Sequence, residues 1–424
     1  MKKNLVAGGA NNVKDSIYCI DMGENFLIID IENLNKKIIS KKQIKDKKNI
    51  LKSFQKKNID IEKFSPKKYA ENINPLIVTG FNCNYCCSYC YQKQKKKKNE
   101  ILVPGDIGLI KKFYNVYCSQ LSIPLNYGEV GIIGGEPLLL ENKPTIYRIF
   151  EEWSEESFVI TTNGTYIENY IEILKDKNIR FRVSLDGSPE AHFKNRKCNE
   201  KGVYEKTISG IKLLLENNIE TSILTVFNPE NIETYPYFFD ILEEIGWLKN
   251  PKLSVHFIPK IGCGCDDIDR EYLMKSLNAF KKLKYLDVRA RKVDARKLVP
   301  GSISLMLAIN LSNRKEYEPY RCGALYSPDF SFLPDGTVHS CLSMPGNTGC
   351  IGRYKPNIEI DFKKLEMLRK RRIDRMQKCK RCSVRFLCQG GCIATILDKT
   401  GDIEGTYCEL WKDTSFLEFF EEIL

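Results

Sequence analysis

Pro75-Leu76-Ile77-Val78-Thr79-Gly80 is an apolar run that leads, two residues on, into Cys83-Asn84-Tyr85-Cys86-Cys87-Ser88-Tyr89-Cys90. The run reads as a short buried strand, and the cysteines follow it on one loop. Cys83, Cys87 and Cys90 are spaced x3 then x2 in a chain with only 17 cysteines among 424 residues. Thiolates that close in sequence can converge on a single metal centre, and three of them around a four-iron cluster leave one iron without a protein ligand. A structural zinc loop is the other reading. Zinc wants four N or S ligands on a tetrahedron, and adjacent Cys86 and Cys87 are poorly placed to share one.

With an apolar strand in front and aromatic Tyr89 before the last cysteine, this loop resembles the cluster loop of radical S-adenosylmethionine (SAM) enzymes. The resemblance implies that Cys83, Cys87 and Cys90 carry a 4Fe-4S cluster whose open iron is chelated by the amino and carboxylate groups of SAM. One electron from such a cluster cleaves the cofactor to a 5′-deoxyadenosyl radical, which abstracts hydrogen atoms.

Strand-like segments at 76–79, 130–133, 158–162, 180–185, 221–227 and 253–258 alternate with helix-like ones. Six such repeats predict an α/β fold, a parallel barrel or open sheet, with ligands at the carboxyl ends of the strands. Polar signals fall at those ends. Gly134-Gly135-Glu136-Pro137 follows the second strand, where glycines admit close backbone approach and a carboxylate can accept from an ammonium. Thr162-Asn163-Gly164 ends the third strand and Val226 the fifth. Ser184-Leu185-Asp186-Gly187 ends the fourth, with Arg196 beyond it; hydroxyl and carboxylate suit a ribose, arginine a carboxylate. By the family resemblance Tyr89, Gly134, Gly135, Glu136, Asn163, Ser184, Asp186, Arg196 and Val226 are expected to contact SAM.

A second cysteine block occupies the last third: Cys322, Gly336, Cys341, then Cys379-x2-Cys382-x5-Cys388-x3-Cys392, and Cys408. It resembles the SPASM domain. That resemblance implies two auxiliary 4Fe-4S clusters, one fully held by Cys379, Cys382, Cys388 and Cys408, the other by Cys322, Cys341 and Cys392. Residues 314–321 lack the further cysteine with which relatives often close the second cluster, so it has an open iron unless Cys350 or Cys263 reaches it. An open iron can bind a substrate thiolate. Two zinc sites are the alternative. Gly262-Cys263-Gly264-Cys265 is too short to hold a cluster alone. Sulfatase maturases of the same architecture place an acidic base after the position of Cys341, where this chain has Leu342, and proton removal from a serine or cysteine needs such a base.

The charge of the chain is +12, and thirteen lysines between Lys36 and Lys68 face only Asp46, Asp60 and Glu62. With no arginine and only Phe54 and Phe64 as aromatics, this segment fits an acidic peptide better than nucleic acid, and a solvated helix face is the plainer reading. In front of it, Ile17-Tyr18-Cys19-Ile20 and Phe26 to Ile31 predict a hairpin around Gly23, with a third strand near Lys37-Ile38-Ile39 and a helix over Ile44 to Lys57. This layout is similar to the leader-peptide recognition module of radical SAM peptide maturases. No run of 18 apolar residues exists, and the N-terminus lacks the apolar core of a signal peptide, so a cytoplasmic protein with no membrane partner is expected.

The expectation is thus a leader-recognition module over 1–72, a partial (β/α)6 radical SAM barrel over 73–300 and a SPASM domain over 301–424. The expected substrate is a ribosomally made precursor peptide with a leader, crosslinked through a thioether, with flavodoxin or ferredoxin as electron donor. Carbon-carbon crosslinking and sulfatase maturation use the same parts. A non-catalytic iron-sulfur electron carrier would need neither Gly134-Gly135-Glu136 nor Ser184-Leu185-Asp186-Gly187.

Overall fold

The computed structural model describes residues 17–21, 25–30, 35–40, 72–92, 100–247, 249–259, 320, 322–380, 382 and 389–408. The helix expected over Ile44 to Lys57, the Gly262 to Cys265 loop and Cys388 lie outside the described residues. Near the N-terminus β1 (Ile17–Asp21), β2 (Asn25–Asp30) and β3 (Asn35–Ser40) form an antiparallel sheet in that order, as the alternation of the sequence predicts.

The main sheet begins at β4 (Leu76–Val78), which leads through the cysteine loop and its short β5 (Tyr85–Cys87). The chain continues through β6 (Glu129–Ile133), β7 (Ser157–Thr162), β8 (Ile179–Ser184), the short β9 (Arg196–Cys198), β10 (Glu220–Phe227) and β11 (Leu253–Pro259). β4, β6, β7, β8, β10 and β11 lie side by side in chain order, all parallel. The expected six-repeat strand and helix core is therefore present. Parallel strands covered on both faces need apolar runs, and Ile77, Val78, Val130, Ile132, Ile160, Val183 and Ile223 are fully buried.

Helices return the chain between strands: α1 (Ile107–Leu121), α2 (Lys143–Glu152), α3 (Ile171–Leu174), α4 (Pro189–Asn195), α5 (Val203–Glu216) and α6 (Tyr235–Glu244). α1 shows why they pack. Ile107, Ile110, Phe113, Tyr114, Tyr117 and Cys118 recur at three- and four-residue intervals and all are buried on one face. α4 starts with proline at its first turn, and the Ser188 hydroxyl caps it by accepting from the Ala191 amide at 3.3 Å.

The sheet does not stop at β4. β12 (Ser331–Phe332) pairs with it in parallel, Ser331 opposite Leu76 and Phe332 opposite Ile77. β13 (Thr337–His339), β14 (Cys350–Arg353) and β15 (Glu359–Ile360) then extend the sheet antiparallel to ten strands. Phe330 and Phe332 meet the aromatic face of α1: the Phe113 ring is edge-on to both, and Tyr114 donates to the Pro328 carbonyl at 2.9 Å.

The chain divides into two compact units, one of Pro66–Val293 with Gly323–Leu368, the other of Met1–Ser65, Asp294–Cys322 and Arg369–Leu424. Residues 323–368, which the sequence reading placed with the C-terminal cysteines, thus pack with the parallel sheet. The second unit includes β1 to β3 and α8 (Gln377–Lys380) and α9 (Ile393–Thr400); α7 (Phe362–Lys370) spans the division at Leu368.

Candidate active site at the carboxyl end of the parallel sheet

β4 delivers the chain into the cysteine loop, and the loop is tied down by a strand from elsewhere. β5 pairs antiparallel with β9, Tyr85 opposite Cys198, Cys86 opposite Lys197 and Cys87 opposite Arg196. Alternation along β5 sorts its side chains: Tyr85 is buried, Cys86 exposed and Cys87 half-buried. Cys86 is therefore turned away from Cys87, while Cys83 and Cys90 are half-buried like Cys87. The Cys90 amide donates to the Cys87 carbonyl at 3.3 Å, which turns the loop.

Donors from three places reach two of these sulfurs. The Tyr85 amide lies 3.3 Å from Cys83 Sγ and Asn163 Nδ2 4.0 Å from it, while Arg196 Nη1 lies 3.9 Å from Cys87 Sγ. Among the described residues no three Cys, His, Asp or Glu side chains gather round one point as a single metal ion requires. In a four-iron cluster each thiolate binds a different iron, and N–H groups directed at the sulfurs are the usual surroundings of such a centre. The donor set at Cys83, Cys87 and Cys90 fits that group.

The end of β6 presses against the same loop. Gly135 donates to the Gly80 carbonyl at 2.9 Å and Glu136 to the Asn82 carbonyl at 2.8 Å. A Cβ on Gly135 would stand 2.2 Å from the Asn82 oxygen and 2.5 Å from that of Phe81, so only glycine allows this approach. The Glu136 carboxylate, 1% exposed, is held from three sides: Oε1 accepts from Thr162 Oγ1 at 2.6 Å and the Leu138 amide at 2.9 Å, Oε2 from the Asn163 amide at 2.7 Å. Burial pushes its pKa up to about 7, and those three hydrogen bonds oppose the rise. Asn163 extends the group by donating to Asn84 Oδ1 at 2.7 Å in the cysteine loop.

Asp186 is the centre of a second network. Its carboxylate, fully buried, accepts from Arg196 Nε at 2.8 Å, from the Val226 amide at 2.9 Å and from the Tyr89 hydroxyl. The Tyr89 ring lies against the guanidinium, 5.2 Å from Cζ to the ring centre. The Asp186 amide donates to His192 Nδ1 at 3.2 Å, so Nδ1 is the acceptor nitrogen. His192 Nε2 then carries the hydrogen and donates to Tyr85 Oη at 3.3 Å. Burial, followed by the nearby Arg196 charge, lowers the His192 pKa to about 4 and keeps the ring neutral.

Of the expected cofactor contacts, Tyr89, Asp186, Arg196 and Val226 share this second network with Cys87. Gly134, Gly135, Glu136 and Asn163 gather against the stretch from Gly80 to Asn84. Ser184, half-buried at the end of β8, makes no side-chain hydrogen bond among the described residues. Sequence reading missed His192, Tyr85 and Asn84 as members of the site. The one available signal was a histidine within an otherwise ordinary amphipathic turn, four residues before Arg196.

In the second cysteine block Cys379 is buried, Cys382 and Cys408 are half-buried, and Cys322 and Cys392 are exposed. Burial raises the Cys379 pKa and the neighbouring Cys382 and Cys408 thiols raise it further, so these three stand together. Arg371 braces the region by donating to the carbonyls of Gly390 at 2.7 Å and Gly405 at 2.9 Å. In the unit with the parallel sheet, half-buried Cys341 and Cys90 both lie within electrostatic reach of the Tyr91 phenol.

Residues 77–242 match the Radical SAM superfamily. A probable GTP 3',8-cyclase of Methanocaldococcus jannaschii is 28% identical over 197 residues, 45% of this chain and 61% of that protein, so the match spans less than two thirds of that relative. A cysteine-type anaerobic sulfatase-maturating enzyme of Clostridium novyi is 26% identical over 374 residues, 80% of this chain and 92% of that one. Among solved structures, native anSMEcpe with bound AdoMet and Kp18Cys peptide is similar with a TM-score of 0.60 at 20% identity, over 83% of this chain and 96% of that chain. SuiB of Streptococcus suis bound to precursor peptide SuiA is similar with a TM-score of 0.55 at 15% identity, over 95% and 99%. The stretch that holds the three-cysteine loop and both hydrogen-bonded networks, residues 77–242, is thus a radical SAM domain by its similarity to that superfamily.

Proposed function

We propose that this enzyme modifies a ribosomally made, cysteine-containing precursor peptide and closes an intramolecular thioether in it. The observation that carries this reading is Leu342. It follows Cys341 directly, is 5% exposed and packs into an apolar cluster with Val78, Phe81 and Leu333. Taking a proton from a serine or cysteine side chain calls for a base, and a leucine fixed in the core supplies none. Thioether formation asks instead that a substrate thiol, which would lose its proton on binding iron, be held beside a carbon radical, with the auxiliary cluster taking the electron released as the C–S bond forms. Cys341, within electrostatic reach of Tyr91 as Cys90 is, suits a ligand of an auxiliary cluster that would receive such a thiolate, and Cys379, Cys382 and Cys408 suit ligands of a second one.

With a 4Fe-4S cluster on Cys83, Cys87 and Cys90, SAM supplies a 5′-deoxyadenosyl radical for abstraction of a hydrogen atom from the peptide. The residues of the chain position the reactants. Asp186, Arg196 and Tyr89 immobilise the loop, the Gly134-Gly135 backbone closes against it, and Glu136, Asn163, Ser184 and Val226 line the strand ends where the cofactor is expected. A precursor peptide as partner is supported by the peptides bound to anSMEcpe and SuiB. A cytoplasmic location and a flavodoxin or ferredoxin donor complete the reading.

Sulfatase maturation is the second reading, favoured by the likeness to the Clostridium novyi enzyme along most of both chains. The deciding experiment is accurate mass spectrometry of a cysteine-containing peptide co-expressed with the enzyme, alongside a sulfatase-derived peptide. Loss of two hydrogens with the cysteine blocked to alkylation is the expected result. The same loss with every cysteine still alkylatable means a carbon-carbon crosslink, and modification of the sulfatase peptide alone means the second reading is correct.

A further inference from the structure

The Asp186–Arg196 ion pair is buried beside the cysteine loop. Arg196 is 7% exposed and Asp186 fully buried, so their charges act in a poorly screened interior. Two of the three guanidinium nitrogens are directed within the protein: Nε to Asp186 Oδ2 at 2.8 Å and Nη1 to Cys87 Sγ at 3.9 Å. The arginine is fixed by backbone pairing as well, since β9 sets Arg196 opposite Cys87. The carboxylate is fixed in turn by the Val226 amide and the Tyr89 hydroxyl, and His192 holds the Asp186 amide. A cation therefore stands beside one cluster sulfur with its counterion behind it, and neither has freedom to move away.

We infer that this pair sets the reduction potential of the cluster on Cys83, Cys87 and Cys90, with Arg196 raising it and Asp186 lowering it. The inference rests on the radical SAM reading of that loop. Reduction adds negative charge to the cluster, which a nearby positive charge favours and a nearby negative charge opposes. Hydrogen bonds to the sulfurs and local charge are the protein's means of adjusting such centres. Arg196 supplies both at Cys87. Asp186 tempers the cation and keeps its Nη1 aimed at the sulfur, so it is a positioning residue for the cluster.

The two roles have opposite signs, and this makes them testable. In the full chain with its clusters assembled, the signal that changes when SAM is added identifies the cluster in question, and a redox titration followed by electron paramagnetic resonance gives its midpoint. Arg196→Gln should move the midpoint to more negative values, because the cation is lost and Asp186 remains. Asp186→Asn should move it to less negative values. Should Asp186→Asn fail to take up the cluster, Arg196→Lys decides: with its charge kept, its midpoint should lie between wild type and Arg196→Gln. Shifts of the same sign in both variants, or an unmoved midpoint in Arg196→Gln, overturn the inference while leaving the enzyme class intact. A wild-type chain with no SAM-responsive signal overturns the reading of the loop and this inference with it.

Discussion

Burial penalises the charged form of both Glu136 and His192, yet the two make stability follow pH in opposite directions. Glu136, raised to about 7, contributes stability that is present below the ordinary carboxylate range and is lost as pH rises through about 7. His192, lowered to about 4, contributes stability that is present above the ordinary imidazole value and is lost as pH falls toward about 4. Its ring faces Tyr85, Asp186, Arg196 and Tyr204. A glutamine at 192 can keep one acceptor and one donor but does not titrate. Comparing urea denaturation of wild type and His192→Gln, the advantage of the wild type should shrink by about 2 kcal/mol from about pH 7 to about pH 5. An advantage that stays constant over that range would mean the ring is not held neutral. None of this was legible in the sequence, where His192 is one of three histidines. What makes it a bridge is the meeting of the Asp186 amide and the Tyr85 hydroxyl, groups six and 107 positions away.

The strand ends were far more legible, because parallel strands covered by helices must be apolar throughout and must stop where glycine and polar residues begin. Gly134-Gly135 was read as a place where the backbone approaches a ligand closely, and the structure shows a close approach to the backbone of Gly80 to Asn82, which leads into the cysteine loop. Gly135→Ala should push β6 and that loop apart. The expected cost is about 1–3 kcal/mol of stability, as for overpacking in a core, together with weaker SAM binding by calorimetry. Gly105→Ala is the control, since a Cβ there meets nothing within 4 Å and thermal stability should not fall. Equal behaviour of the two variants would remove the steric argument. The pairing of β5 with β9 could not be read beforehand: each strand has only three residues, and the pairing joins segments more than a hundred positions apart.

Taken whole, the molecule carries its charge unevenly, and this bears on how it would collect a peptide. Thirteen lysines lie between Lys36 and Lys68, and exposed charges are screened within about 10 Å at roughly 0.1 M salt. Binding of an acidic leader peptide should therefore weaken steadily as salt rises, measured by fluorescence anisotropy on the full chain. Affinity that ignores salt would rule out electrostatic capture by this segment. The cysteine spacings, the six apolar runs and the glycine-rich strand ends were enough, by themselves, to point to the radical SAM family and to an α/β fold of six parallel strands. These are local signals, written in neighbouring residues because metal ligation and strand burial demand particular residue types at short intervals. Tertiary structure alone decided that residues 323–368 continue the sheet from β4, that Leu342 belongs to the core, and that Arg196 is aimed at Cys87 Sγ. Each of these depends on a pairing or a contact between distant segments, and the energy of such contacts is set by packing that no short stretch of sequence records.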